Sequence, residues 1–167
     1  NSRAILVLPL VGDGTGKNNM NSGASLSRIK TVLKGQRLGI LATRGEDYPY
    51  QNIVSYSVSG DLKKIIFATS RASMKYANIR RCPRVAIFVD NRKNTEQDLI
   101  DAVGITALGD AKELSGAEER RWKRSLTARH PYLEEFVSSP GVALLAVRVK
   151  VYYAVSRFQD VEELVLR

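Results

Sequence analysis

One cysteine and one histidine in 167 residues leave the chain nearly without the side chains most used for nucleophilic attack, proton transfer and transition-metal binding. Cys82 has no partner for an internal disulfide, and its place before Pro83 at a predicted helix end reads as structural. Both features suit a reducing, cytoplasmic setting. Cys82 and His130 lie far apart in sequence, so no zinc-ligand spacing is present, and no Ser-His-Asp arrangement can be argued. His130 precedes Pro131 where a helix must stop, and a capping or structural role is expected of it rather than that of a base. No window approaches the roughly twenty apolar residues of a membrane-spanning helix. Neither a long apolar region nor a small-residue cleavage site marks a secretion signal.

Acidic residues are outnumbered by basic ones, 17 to 26, for a formal net charge of +9. Such an excess attracts nucleic acid, phosphorylated ligands or anionic surfaces. Here it is scattered over Arg80-Arg81 with Arg84, Arg92-Lys93, and Arg120-Arg121 with Lys123-Arg124. Aromatic residues are not interleaved with these clusters as in a single-strand stacking platform, so nucleic acid is not the expected partner. A hydrophobic fraction of 44% with 26% charged residues suits one soluble domain with a real core.

The start of the chain differs from the rest. Ile5-Leu6-Val7-Leu8 and the turn-rich Gly12-Asp13-Gly14-Thr15-Gly16-Lys17 resemble a phosphate loop in outline. The spacing fails, because Val11 stands where glycine is needed and Asn18 where Ser or Thr is needed. Residues 1–24 are therefore expected to be an extension outside the domain, compatible with appended sequence, and residues 25–167 a single domain.

Ser25 to Leu33 carries Leu26, Ile29, Val32 and Leu33 at helical spacing, ending at Gly35. Leu38–Thr43, Gln51–Ser59, Lys63–Thr69 and Val85–Asp90 then read as short antiparallel strands, with Ser59-Gly60-Asp61 as a hairpin turn in which Gly or Asp takes positive φ. A strand is predicted over Ile100–Leu114, with Gly104 and Gly109 as bends or bulges. Ser115-Gly116-Ala117-Glu118 has the spacing of a capping box opening a helix to about Ala128. A helical turn over Tyr132–Val137 and a long strand over Val142–Phe158, with Val147, Val149 and Val151 on its buried face, complete the pattern. Six antiparallel runs with glycine bends and no βαβ alternation predict a small closed or split barrel, mainly β with helices.

The most informative stretch is Phe67 to Ile79, a strand ending in hydroxyls that opens directly into a basic helix. Free N–H groups and the positive end of the helix dipole favour an anion there, with Thr69, Ser70 and Ser73 as donors and Arg71 or Lys75 as charge. The same residues also describe an ordinary helix capped by Ser70 or Ser73, with solvated cations.

On these elements the chain resembles the pyridoxamine 5'-phosphate oxidase-like family of FMN-binding split barrels, from about Leu33 to Phe158. The resemblance is carried by Arg37-Leu38-Gly39-Ile40-Leu41-Ala42-Thr43, by Pro49-Tyr50-Gln51-Asn52-Ile53-Val54, and above all by Phe67-Ala68-Thr69, Ser73-Met74-Lys75, Asn78-Ile79 and Pro83-Arg84-Val85 in order. It implies an antiparallel Greek-key split β-barrel that forms a homodimer and holds FMN at the subunit interface. Lys75 would pair with the FMN phosphate, Ser73 and Thr69 would donate to it, and Met74 between them belongs to the same implied cofactor-binding set. Gln51, Asn52, Ile53, Val54, Ser55 and Tyr56 would lie along the isoalloxazine ring, chiefly through backbone groups of Ile53 and Val54, with Phe67 and Ala68 flanking it.

Three departures limit what the resemblance implies. Met74 stands where the oxidases carry a basic residue, Gly104 where they carry a flavin-contacting glutamine, and their arginine-rich C-terminal motif is absent after Phe158. Pyridoxamine phosphate is thus not the implied substrate. The expectation is an FMN-dependent oxidoreductase acting on an unidentified small molecule. The alternatives are a flavin- or haem-binding module without turnover and a deazaflavin-dependent reductase.

Overall fold

The period-two stretches become strands because their alternate residues share one core. Along β1 (Leu38–Arg44), Leu41 and Thr43 are buried while Leu38 and Arg44 are exposed. With β2 (Pro49–Val58), β3 (Lys64–Ser70), β4 (Arg84–Asp90), β5 (Val103–Glu113), β6 (Val142–Ser156) and β7 (Asp160–Val165) it forms an antiparallel sheet in the order β3-β2-β1-β4-β5-β6-β7. A further pairing between β3 and β6 closes the six strands other than β7 into a barrel. This computed structural model describes residues 22–157 and 160–166. The expected extension lies outside the described residues except for 22–24, which already belong to α1 (Ser22–Gly35).

The helices other than the short one between β4 and β5 each bury residues against the barrel. Ile29, Val32 and Leu33 of α1 join Tyr56, Phe67, Ile87, Ile105 and Tyr152 in the main core. α2 (Met74–Arg81) connects β3 to β4 and adds Ile79 to that core. α4 (Gly116–Arg129) and α5 (Glu134–Ser138), joined by a 3-10 turn at Pro131–Leu133, cover β3 and β6 from outside, with Leu126 and Val137 packed on Ile66, Leu144 and Ala146. Among the described residues no helix is long and apolar enough to cross a membrane.

The differences from the sequence reading have local physical causes. The β2–β3 turn is held by the Asp61 carboxylate, which accepts from the Ser59 hydroxyl at 2.5 Å and from the Lys63 N–H at 3.0 Å. The left-handed residue is therefore Leu62 (φ 61°), not Gly60 or Asp61. Leu62 is buried and its carbonyl accepts from the Tyr152 hydroxyl at 2.7 Å, which anchors the strained residue. The capping box is not formed: Ser115 makes no side-chain cap, and Glu118 pairs with Lys64 instead. Ile100 opens no strand but lies in α3 (Asp98–Asp101), where Asp98 accepts the N–H groups of Lys93 and Thr95.

The long final strand is also not of one parity. Opposite Leu108/Gly109 the register slips, leaving Lys150 as an extra residue, so Val147 and Val149 are buried before the bulge and Tyr152 and Ala154 after it. Gly109 is required there, because a Cβ at that position would lie 2.2 Å from the Arg148 carbonyl oxygen.

Where α4 ends, its last residues fasten α1 to the barrel. The Arg129 guanidinium donates to the carbonyls of Leu33, Lys34 and Gln36 at the end of α1 and lies 5.6 Å from the centre of the Tyr56 ring. His130 is fully buried; its Nε2 donates to the Tyr56 carbonyl at 2.8 Å, while Nδ1 faces the Tyr132 hydroxyl at 3.4 Å. Arg129→Ala is expected to lower stability by about 2–3 kcal/mol, because it leaves helix-end carbonyls unpaired and removes a cation over an aromatic face. Urea unfolding checks this, with Arg129→Lys expected to recover part of the loss; an unchanged midpoint in Arg129→Ala would contradict the clamp.

Candidate functional site

The junction that stood out in the sequence is built by the end of β3 and the start of α2. Thr69 is buried, and its Oγ1 lies 2.9 Å from Ser73 Oγ. Ser73 is the N-cap of α2, its Oγ accepting the Tyr76 N–H at 3.3 Å, so the capping reading holds for Ser73. Ser70 Oγ accepts the Ala72 N–H. In the first turn of α2, Met74 is 60% exposed, and half-buried Lys75 has no hydrogen bond or ion pair within the described residues.

Arg71, in contrast, is held by an ion pair and by backbone carbonyls. Its Nε and Nη2 donate to Glu113 Oε1 at 3.1 and 2.6 Å, and its Nη1 donates to the carbonyls of Pro140 and Val142, each at 2.8 Å. Four of the five guanidinium N–H groups are thereby used. The other Glu113 oxygen accepts the Tyr76 hydroxyl at 2.6 Å. The hydrogen bond from Tyr76, then those from Arg71, hold the Glu113 carboxyl below its ordinary pKa despite partial burial. Asn78 ties α2 to the β1–β2 hairpin, donating to Thr43 Oγ1 at 3.1 Å and accepting from Arg81 at 2.8 Å.

The predicted ring-contacting residues divide by strand parity. Gln51 and Ile53 are exposed and Ser55 is half-buried on the outside of β2, whereas Val54 and Tyr56 enter the core. Phe67 also enters the core, and Ala68 packs against the α4–α5 cluster. The Tyr56 hydroxyl donates to the Leu33 carbonyl at 2.8 Å, and burial pushes its pKa up to about 12 against the opposing charge of Arg129. Asn52 Oδ1 is buried and has no hydrogen-bond partner among the described residues.

Beside this strand the outer face of the sheet is mostly apolar over β1, β4, β5 and β6, while the first of its rows ends on Glu163 of β7. The register aligns Ile53, Ile40, Phe88, Thr106 and Tyr153 in one row over β2, β1, β4, β5 and β6. The adjacent row is Gln51, Ala42, Ala86, Leu108, Val151 and Val165. Ile53 is 69% exposed and Val165 is 59% exposed. A groove of about 710 Å³ follows the second row, floored by Ala42, Ala86, Leu108 and Val151 and edged by Arg44, Arg84 and Lys150. At Gly104, a Cβ would lie 2.9 Å from the Phe88 ring, so that ring fills the place a larger side chain would need.

A closed six-stranded antiparallel barrel with an outer apolar sheet face and a hydroxyl-rich strand–helix junction defines the split-barrel class. The sequence model of the pyridoxamine 5'-phosphate oxidase family matches residues 26–156, and the chain belongs to that family. No curated protein matches it. Solved structures share the fold: a haem-binding protein from Mycobacterium smegmatis (TM-score 0.74, 17% identity, 82% of this chain and 56% of that one) and general stress protein 26 from Bacillus anthracis (0.66, 23%, 84% and 97%). An FAD-binding protein from Mesorhizobium loti is also similar (0.61, 16%, 77% and 91%). The chain thus spans little more than half the length of the mycobacterial protein.

Sequence reasoning missed Glu113. It ends a strand far along the chain from Arg71 and Tyr76, and only the pairing of β5 and β3 on either side of β6 brings the three together. Because the folded Glu113 pKa is depressed, the stability it contributes is present above its unfolded value of about 4.3 and is lost as pH falls through the folded value. Glu113→Gln is expected to flatten the acid limb of a plot of urea midpoint against pH; an acid limb unchanged by the substitution would contradict the assignment.

Proposed function

We propose that the chain is a homodimeric FMN-binding flavoprotein that moves hydride or electrons between a reduced donor and a small-molecule acceptor. The observation that carries this reading is Lys75, unpaired among the described residues and two positions after Ser73, whose hydroxyl lies 2.9 Å from that of Thr69, in a member of this family. A charge-assisted bond in such a half-buried seat is strong. On β2, Gln51, Ile53 and Ser55 face outward, the side on which a cofactor between two copies would lie. Bound FMN would supply the redox chemistry, leaving the protein to bind, orient and shield it. The apolar rows from Ile53 to Tyr153 and from Ala42 to Val165 support a second copy as the cover for the sheet face. Residues 25–167 would be the cofactor-binding domain, and the lone cysteine fits a reducing cytoplasm.

The haem-binding neighbour raises haem as a second ligand, but the one histidine is sealed in the core with both ring nitrogens engaged. Flavin is therefore the reading the site favours. The phosphate assignment predicts that Lys75→Ala weakens FMN binding about tenfold or more while leaving riboflavin binding unchanged, as read by flavin fluorescence. Equal losses for both ligands would contradict it. Light scattering is expected to give two chains per particle, and Phe88→Asp, which places a charge in the apolar row, a single chain. A wild-type monomer would remove the two-subunit site.

A further inference from the structure

The Arg71–Glu113–Tyr76 cluster lies beside the proposed phosphate seat without belonging to its ligand set. Arg71 and Tyr76 bracket Ser73 in sequence, and both bind the same carboxylate at the end of β5. The backbone around them is tied as well: the Arg71 N–H donates to the Gly141 carbonyl at 2.9 Å, and the Tyr76 N–H donates to Ser73 Oγ. Displacing Tyr76 would therefore disturb the hydroxyl at the seat directly.

We propose that Glu113 is a positioning residue of the phosphate seat: by holding Arg71 on one side of Ser73 and Tyr76 on the other, it fixes the junction where Thr69, Ser73 and Lys75 would meet a phosphate. The inference rests on the FMN reading. It also assigns Arg71 a bracing role, since four of its five donors are spent on Glu113 and on the carbonyls of Pro140 and Val142, and it leaves Lys75 as the cation for the ligand. Met74 in place of a basic residue is thus not compensated by Arg71.

The test uses Tyr76→Phe, which removes one hydroxyl and keeps the ring, together with Glu113→Gln. Dissociation constants for FMN and for riboflavin, which lacks the phosphate, are measured by fluorescence on each protein, alongside the thermal midpoint. Loss of one or two positioning hydrogen bonds is expected to weaken FMN about three- to tenfold. Riboflavin affinity is expected to stay within about twofold, a difference too small for one lost hydrogen bond. Equal weakening of the two ligands, or no weakening of FMN in Tyr76→Phe, would overturn the proposal, since a merely structural role would not discriminate by phosphate. Wild-type protein that binds FMN no better than riboflavin would instead refute the phosphate seat itself, before any variant is considered.

Discussion

The architecture depends on one extra residue in β6. A strand of regular parity would bury Val147, Val149, Val151 and Tyr153 alike, and would put Tyr152 on the outside. The slip opposite Leu108/Gly109 turns Tyr152 inward, where its hydroxyl secures Leu62, and turns Val151 and Tyr153 outward. The first half of β6 can then close the barrel with β3, while the second half carries β7. The apolar outer rows follow from the same slip. Without Gly109 the backbone of β5 could not approach Arg148 closely enough to permit it.

The barrel then fixes the site. Because β3 and β5 both pair with β6, the end of β3 and the end of β5 arrive at the same edge, and Glu113 meets the residues that open α2. Charge there is allotted unequally. Arg71 is paired with Glu113 and has four of its five guanidinium N–H groups hydrogen-bonded, whereas Lys75 has no ion pair among the described residues and is the cation that the proposed phosphate seat would use. On the outer face of β2, Ile53 and its neighbours leave apolar surface exposed, which the proposed second copy would cover. The proposed phosphate-bearing planar cofactor between two copies of the chain would use both features at once.

Much of this was legible in the chain. The Ile, Val, Phe and Tyr alternation of β1 to β4, the strand-to-helix change at Ser73, and the helix stops at Cys82-Pro83 and His130-Pro131 are local signals, and they marked elements within a few residues. What depended on tertiary contacts was not legible. Leu62 takes the left-handed conformation because Asp61 ties the turn by its side chain, and Glu118 leaves its cap because Lys64 competes for it. The acidic, weakly apolar β7 gains its place from tertiary partners, the half of β6 beyond the bulge and α1, where Arg28 pairs with Glu162. At the site, the hydroxyls and Lys75 could be read from spacing, while the sequestering of Arg71 and the orphaned Asn52 acceptor required the fold.

The central claim is that this barrel holds FMN. Titrating cofactor-free protein with FMN, followed by the visible absorption of the flavin, tests it most directly. The account predicts saturable binding of one FMN per chain with a shifted and resolved flavin band. Absence of saturable FMN binding, or a protein that takes up haem in its place, would contradict it.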